Sequence, residues 1–194
     1  MHWKDARESL LQRFVASKRP GLITDMDGTI SPIVPTPSDA YPTERGRAAL
    51  AALHPQMALV AVLSGRAVAD LVERVGLPEL AYGGNHGLER WQDGEVVLAE
   101  AARPYRPALE AAMAQIEPLL QAGEWIEDKG ATLSLHYRNS RDAQAAVRLA
   151  PLLETQAQAQ GLALFSGRMI FELRPPLPID KGSAFRDKIG RAHV

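Results

Sequence analysis

The sequence predicts an α/β fold in which a parallel sheet carries an inserted α+β module, and three observations predict it. Met57 to Leu63 is a continuous apolar run, the pattern of a strand covered by helices on both faces in a parallel sheet. Around it, stretches of helical period alternate with short apolar segments, the order expected of an α/β core. After Leu80 the pattern changes to hairpins and half-covered strands, which mark a second unit.

Taken in order, Leu10, Leu11, Phe14 and Val15 fall at helical spacing and predict an amphipathic helix that Pro20 ends. Gly21 to Thr24 reads as a short buried strand leading to Asp25. Pro32, Pro35, Pro37 and Pro42 then leave room only for a loop, after which Thr43 caps a helix through Leu50 and Leu53. Val68, Leu71, Val72 and Val75 mark one face of a further helix that Gly76 closes. Asp93-Gly94 between Glu89–Trp91 and Glu95–Leu98 predicts a hairpin turn.

Pro107 opens a helix with Leu109, Met113, Ile116 and Leu120 on one face. Leu133, Leu135 and Tyr137 alternate with Thr132, Ser134 and His136, a strand with one covered and one open face. A helix carrying Ala146, Val147, Leu149 and Leu153 follows, then two short strands around Ser166-Gly167-Arg168. The expected boundaries are a core over residues 1–103, an α+β cap over 104–173, and a second core part over 174–194.

Composition narrows the function. A net charge of -1 offers no bulk attraction to nucleic acid or a membrane surface. The absence of cysteine rules out disulfides and thiolate metal sites. Met1 to Pro20 is charged without an apolar stretch, unlike a secretory signal, and no apolar run approaches the roughly 20 residues that span a bilayer. A soluble, cytoplasmic protein is the expectation.

The chemistry concentrates at Asp25-Met26-Asp27-Gly28-Thr29, where an apolar strand ends. Open α/β sheets bind ligands at the carboxyl ends of their strands. One carboxylate there can attack phosphorus, and a second, two residues on, can protonate the leaving oxygen and later deprotonate water. Gly28 permits a tight turn that brings amides toward phosphate; the bland alternative is an Asp-Gly turn. Ser64-Gly65-Arg66 follows the buried strand and opens a helix, so its hydroxyl and amides can meet phosphate at a helix N-terminus. The same tripeptide at residues 166–168 lies between two strands and reads as turn chemistry. Lys181-Gly182 supplies a cation that can balance phosphoryl charge.

In this order and separation the three segments resemble the haloacid dehalogenase superfamily of phosphatases. That resemblance implies a Rossmann-like core with an inserted cap, Asp25 as nucleophile, Asp27 as acid and base, Ser64 on phosphate and Lys181 steadying the phospho-enzyme. Residues 27–33 (Asp-Gly-Thr-Ile-Ser-Pro-Ile), Gly84 to Glu89, Glu127 to Gly130, His136-Tyr137-Arg138 and Glu172 to Pro175 further resemble the trehalose-6-phosphate phosphatases. This implies Mg²⁺ as cofactor and trehalose 6-phosphate as substrate, with another sugar phosphate, or a non-catalytic sugar-phosphate binder, as alternatives.

By the same resemblance Thr29, Ser64, Gly65, Arg66, Asn85, His86, Glu127, Lys129, Arg138 and Glu172 would contact substrate. From spacing alone Glu127, Lys129 and Arg138 fit equally an exposed set of cross-strand ion pairs. His86 has no nearby acid in sequence and is expected as a structural or substrate-loop residue. His54 is expected at a helix end, and Trp3, Trp91 and Trp125 as packing residues. Mg²⁺ would be held by Asp25 and the Asp27 backbone carbonyl, with further carboxylates from a Gly-Asp-Asp-type motif beyond the lysine. Asp187 is too close to Lys181 to serve. The sequence therefore predicts a parallel sheet incomplete at its C-terminal end and a truncated chain, with Ile189 to Val194 resembling a translated sequencing adaptor.

Overall fold

Three short strands, β1 (Gly21–Thr24), β2 (Leu59–Leu63) and β3 (Ala81–Gly84), run parallel in that order. The computed structural model describes residue 12, residues 16–184 and residue 186. The helix expected over residues 8–15 therefore falls, but for residue 12, outside the described residues, as do Trp3 and the tail from Asp187. Val60, Ala61, Val62 and Leu63 of β2 are all buried, as a central parallel strand requires. Helix α1 (Glu44–Leu53) links β1 to β2, and Thr43 Oγ1 caps it by accepting from Gly46 N at 3.0 Å. Helix α2 (Val68–Val75) links β2 to β3, buries Val68, Leu71 and Val75, and ends on left-handed Gly76.

The strand β3 had no signal in the sequence, because Ala-Tyr-Gly-Gly neither alternates nor runs apolar. What places it is close packing. A Cβ on Gly84 would lie 2.4 Å from Val68 N and 2.8 Å from Arg66 O, so only glycine lets β3 pass under the start of α2. Beyond it, β4 (Glu89–Gln92) and β5 (Glu95–Leu98) extend the sheet antiparallel. Asp93 and Gly94 both take positive φ (54° and 85°), the conformation a two-residue hairpin turn demands.

The second sheet is wholly antiparallel and belongs to the expected cap. Its strands β6 (Trp125–Asp128), β7 (Leu133–His136), β8 (Ala163–Gly167) and β9 (Ile170–Arg174) lie in the order β6-β7-β9-β8. Helices α3 (Arg106–Ile116) and α4 (Ala145–Gln160) cover one face, where Leu109, Ile116, Leu149 and Leu153 pack on Leu133, Leu135, Phe171 and Leu173. Two readings of this unit change. Val147 is 71% exposed, because the buried stripe of α4 is Ala145, Leu149, Leu153 and Ala157. Leu120 follows α3, which Pro118 helps to end at Ile116, and packs on the cap core from extended backbone.

The larger correction concerns β7. Its second face was expected to be open, yet Thr132 and Ser134 have no exposed surface. That face is turned to the first unit. A small apolar cluster of Leu88, Ala102 and Ala131, joined by Leu177 and Ile179, seals the junction. Residues 175–184 then return to the core, where Asp180 O and Ala184 lie against Gly87.

Replacing Gly84 with alanine should destabilise the fold by about 1–3 kcal/mol, the cost of forcing a methyl into packed backbone. Urea unfolding of Gly84→Ala checks this; an unchanged midpoint would mean that the β3–α2 approach is not tight.

Candidate active site

Strand β1 delivers the Asp25–Thr29 loop to the end of the parallel sheet. Met26 is completely buried, while Asp25 and Asp27 on either side of it keep 42% of their side chains exposed. The loop is held by Met26 O, which accepts from the amides of Thr29, Ile30 and Ser31 at 3.0–3.2 Å. Asp25 Oδ1 accepts from Met26 N at 2.8 Å, and Oδ2 accepts from Lys181 Nζ at 2.9 Å. Residues 156 positions apart thus form one ion pair.

Asp27 is gripped by Arg66, whose Nε and Nη2 each donate to it at 2.9 Å. Arg66 also donates to Pro37 O at 2.9 Å and to Asp70 at 3.1 Å. Burial resists its charge, but the hydrogen bonds and charges of Asp27 and Asp70 win and raise its pKa further. Asp70 is held low in turn: burial opposes ionisation, and hydrogen bonds from Arg74 and Arg66 overcome it.

Ser64, almost buried, accepts from Arg66 N at 3.2 Å, and Gly65 is needed because a Cβ there would sit 2.6 Å from His86 Nε2. The start of α2 differs from expectation. Its Val68 amide donates to Glu89 Oε2 at 2.8 Å, so a buried carboxylate of the chain itself occupies that anion position. Burial pushes the Glu89 carboxyl up, partly offset by the Val68 amide.

Above these loops the cap sheet presents its polar face. The strand register sets Glu127, Ser134, Glu172 and Phe165 in one row and Trp125, His136, Ile170 and Gly167 in the next. Between core loops and cap lies a cavity of about 380 Å³, within the range of small-ligand sites, about 300–1,000 Å³. Asp27, Ser64, Gly65, Arg66 and His86 line it from below, and Glu127, Lys129, Arg138 and Glu172 from above.

Glu172 organises the junction. It is 7% exposed, accepts from Lys129 Nζ at 3.2 Å and Arg174 Nε at 2.7 Å, and lies within 3.2–3.4 Å of Thr132 and Ser134 hydroxyls. Burial opposes its ionisation, but the hydrogen bond from His86 and the charges around it hold its carboxyl well below the usual range. Lys129 Nζ also donates to Gly65 O at 3.1 Å, tying the cap to the Ser64-Gly65-Arg66 loop. Arg138 Nη1 donates to Val34 O and Pro35 O at 3.2 and 3.1 Å, a second tie.

Several expectations need correction. Asn85 is completely buried; its amide donates to Lys129 O and its carbonyl accepts from Thr132, so it joins the units away from the cavity. Thr29 is exposed and, with Asp25 and Lys181, lies outside the cavity lining. His86 does have an acid beside it, brought from the cap: its Nε2 is 3.2 Å from Glu172 and 2.8 Å from Arg174. Which partner it bonds depends on the tautomer: Nε2 without hydrogen accepts from Arg174, and Nε2 with hydrogen donates to Glu172. The second Ser-Gly-Arg is not a turn as a whole: Ser166 and Gly167 end strand β8 and line the cavity, and the turn to β9 is made by Arg168 and Met169.

Among the lining residues that sequence reasoning passed over are His136, Phe165 and Arg174. Arg174 stands two residues along β9 from cavity-facing Glu172, so alternation could have found it. His136 Nε2 pairs with Glu127 at 2.9 Å, and the Arg174 guanidinium lies 4.4 Å from the Phe165 ring centre. The His136 bond and nearby cations outweigh burial and lower the Glu127 carboxyl.

Asp25 and Asp27 supply fewer oxygens than octahedral Mg²⁺ takes. Among the described residues no three His, Cys, Asp or Glu side chains gather into a metal-binding group. The described donors thus fit only part of such a site.

A parallel sheet ending in paired aspartates, with an antiparallel cap over it, defines a core-and-cap α/β fold. A haloacid dehalogenase-like hydrolase from Bacteroides thetaiotaomicron shares this fold, with a TM-score of 0.56 at 17% identity over 91% of this chain and 78% of that one. The chain belongs to the trehalose-phosphatase family, whose sequence model matches residues 23–194. It is 40% identical to a trehalose-phosphate phosphatase of Mycobacterium marinum over 87% of this chain and 43% of that protein. A Mycobacterium leprae trehalose-phosphate phosphatase is 36% identical over 97% of this chain and 44% of its own length. The chain thus spans less than half the length of these relatives. A solved trehalose-6-phosphate phosphatase related protein superposes with a TM-score of 0.77 at 23% identity, covering 89% of this chain and 74% of that one. No helix among the described residues is long and apolar enough to cross a membrane.

The Glu172 carboxyl is depressed on folding, so it contributes stability above the ordinary glutamate value of about 4.3. That contribution falls away as pH drops below this value toward the folded one. Urea midpoints measured from pH 7 down to pH 3 should decline less for Glu172→Gln than for the parent; parallel profiles would contradict the assignment.

Proposed function

We propose that the chain carries the phosphatase site of an enzyme that hydrolyses a sugar phosphate, with trehalose 6-phosphate as substrate, releasing trehalose and phosphate. The observation that carries this is the Asp25–Asp27 pair at the end of β1. Each carboxylate faces its own cation, Lys181 or Arg66, and a polar cap sheet lies overhead. Family membership supports the reading, and a cytoplasmic setting is part of it.

In this reaction Asp25 attacks the phosphorus in line and the bond from phosphorus to the sugar oxygen breaks. Protonated Asp27 gives its proton to that departing oxygen. Water then attacks the phosphorus of the aspartyl-phosphate, Asp27 takes a proton from it, and phosphate leaves with Asp25 restored. Arg66 grips Asp27 at two points, and an arriving phosphate competes for the same guanidinium. Lys181 holds positive charge beside the attacking carboxylate, and Ser64 offers a hydroxyl to phosphate. Mg²⁺, held in part by Asp25 and the Asp27 carbonyl, would add positive charge on the phosphoryl oxygens.

On the cap, Glu127 and Glu172 accept from sugar hydroxyls while Lys129 and Arg174 donate. Such mixed polarity suits a ligand with many hydroxyls and one charged end. Phosphate release from a panel of sugar phosphates, with Mg²⁺, tests the proposal. Trehalose 6-phosphate should be the preferred substrate, and Asp25→Asn should reduce turnover by at least about a thousandfold, as loss of a covalent nucleophile does. Turnover that survives Asp25→Asn near the parental rate would remove the nucleophile assignment.

A further inference from the structure

Trp125 is out of character for a packing residue. It stays 40% exposed, yet one face of its indole is fixed on the His136 ring, with centroids 4.1 Å apart and planes within 9°. The strand register sets the two residues directly opposite each other on β6 and β7. A large aromatic held rigid on one side and open on the other is a preformed stacking platform.

A second cavity, of about 150 Å³, lies against it. It shares Pro37, His136, Arg138 and Ile170 with the main cavity, so the two are inner and outer lobes of one cleft. Their chemistry differs. The inner lobe has Asp27, Glu127 and Glu172 set among cations; among the described residues no carboxylate lines the outer one. The outer lobe offers Trp125, Met169 and the donors Arg138, Asn139 and Arg168. An aromatic wall with donors at its rim suits a ring that has an apolar face and hydroxyls around its edge. At about 150 Å³ the lobe is far below the small-ligand range of about 300–1,000 Å³ and holds one ring at most.

We propose that this outer lobe is a subsite for the uncharged sugar ring remote from the phosphate, with Trp125 as its stacking platform. The inference rests on the reading that the inner lobe takes a sugar phosphate. With the phosphate at the Asp27, Ser64 and Arg66 end, the first ring spans the inner lobe, and the second passes the His136–Arg138 strip to meet Trp125. Arg138 spends one nitrogen, Nη1, on Val34 O and Pro35 O, which fixes the strip between the lobes. Trp125 and its lobe thereby select for the length of the saccharide and not for its phosphate.

Calorimetric titration of the full chain without divalent cation, so that nothing turns over, tests this with trehalose 6-phosphate, glucose 6-phosphate and inorganic phosphate. Trp125→Ala should weaken the disaccharide phosphate about tenfold and leave the other two within about twofold. Arg168→Ala, on the exposed β8–β9 turn and harmless to folding, should weaken the same ligand severalfold. Unchanged disaccharide affinity in both variants would overturn the subsite, as would an equal loss for all three ligands or no binding by the parent chain. A failure of the phosphate reading shows elsewhere, as Ser64→Ala leaving all three affinities unaltered.

Discussion

Everything at the junction of the two units depends on the charge compensation of one buried carboxylate, that of Glu172. An isolated charge so placed would cost several kcal/mol. Here Lys129, Arg174, His86 and two hydroxyls surround it, drawn from β7, β9, the β6–β7 turn and a core loop. Because Lys129 also bonds Gly65 O, the network reaches the loop beside Ser64. The positions of the cap and of the Ser64-Gly65-Arg66 loop are therefore set by the same group of charges.

That arrangement explains why the cap sheet has two unlike faces. Leu133, Leu135, Phe171 and Leu173 bury themselves against helices, while the intervening Ser134 and Glu172 look toward the core. The alternation that builds a strand thus also builds the roof of the cleft. On the floor, Asp25 and Asp27 flank buried Met26 by the same two-residue logic. Each carboxylate has a cation of its own, and the two pairs are not equivalent. Lys181 offers a single contact to Asp25, whereas Arg66 holds Asp27 by two and shares itself with Asp70.

Much of the core was legible in the sequence because its signals are local. The apolar run of β2, the Thr43 cap, the Gly76 stop and the Asp93-Gly94 turn each act within a few residues, and each element formed as expected. The parallel sheet, the inserted antiparallel cap and membership of the trehalose-phosphatase family were legible too. Strand β3 was not, since its glycines answer to the backbone of α2 and not to their own neighbours. The buried polar face of β7 read as open for a related reason: Ser134 and Thr132 look solvent-facing until another unit is set over them. Contacts such as Glu172–His86, Arg66–Asp27 and Glu89–Val68 span 86, 39 and 21 positions, and no spacing rule reaches that far.

The claim that the cap and the Ser64-Gly65-Arg66 loop are held by one charge network is most directly tested by a double-mutant cycle. Unfolding free energies of Lys129→Met, Glu172→Gln and the double variant would be measured beside the parent. The account predicts a coupling between the two of about 1–3 kcal/mol, as for residues in one buried ionic network. Additivity within about 0.5 kcal/mol would contradict it, and would mean that apolar contacts at Leu88, Ala102 and Ala131 dock the cap without help from Glu172.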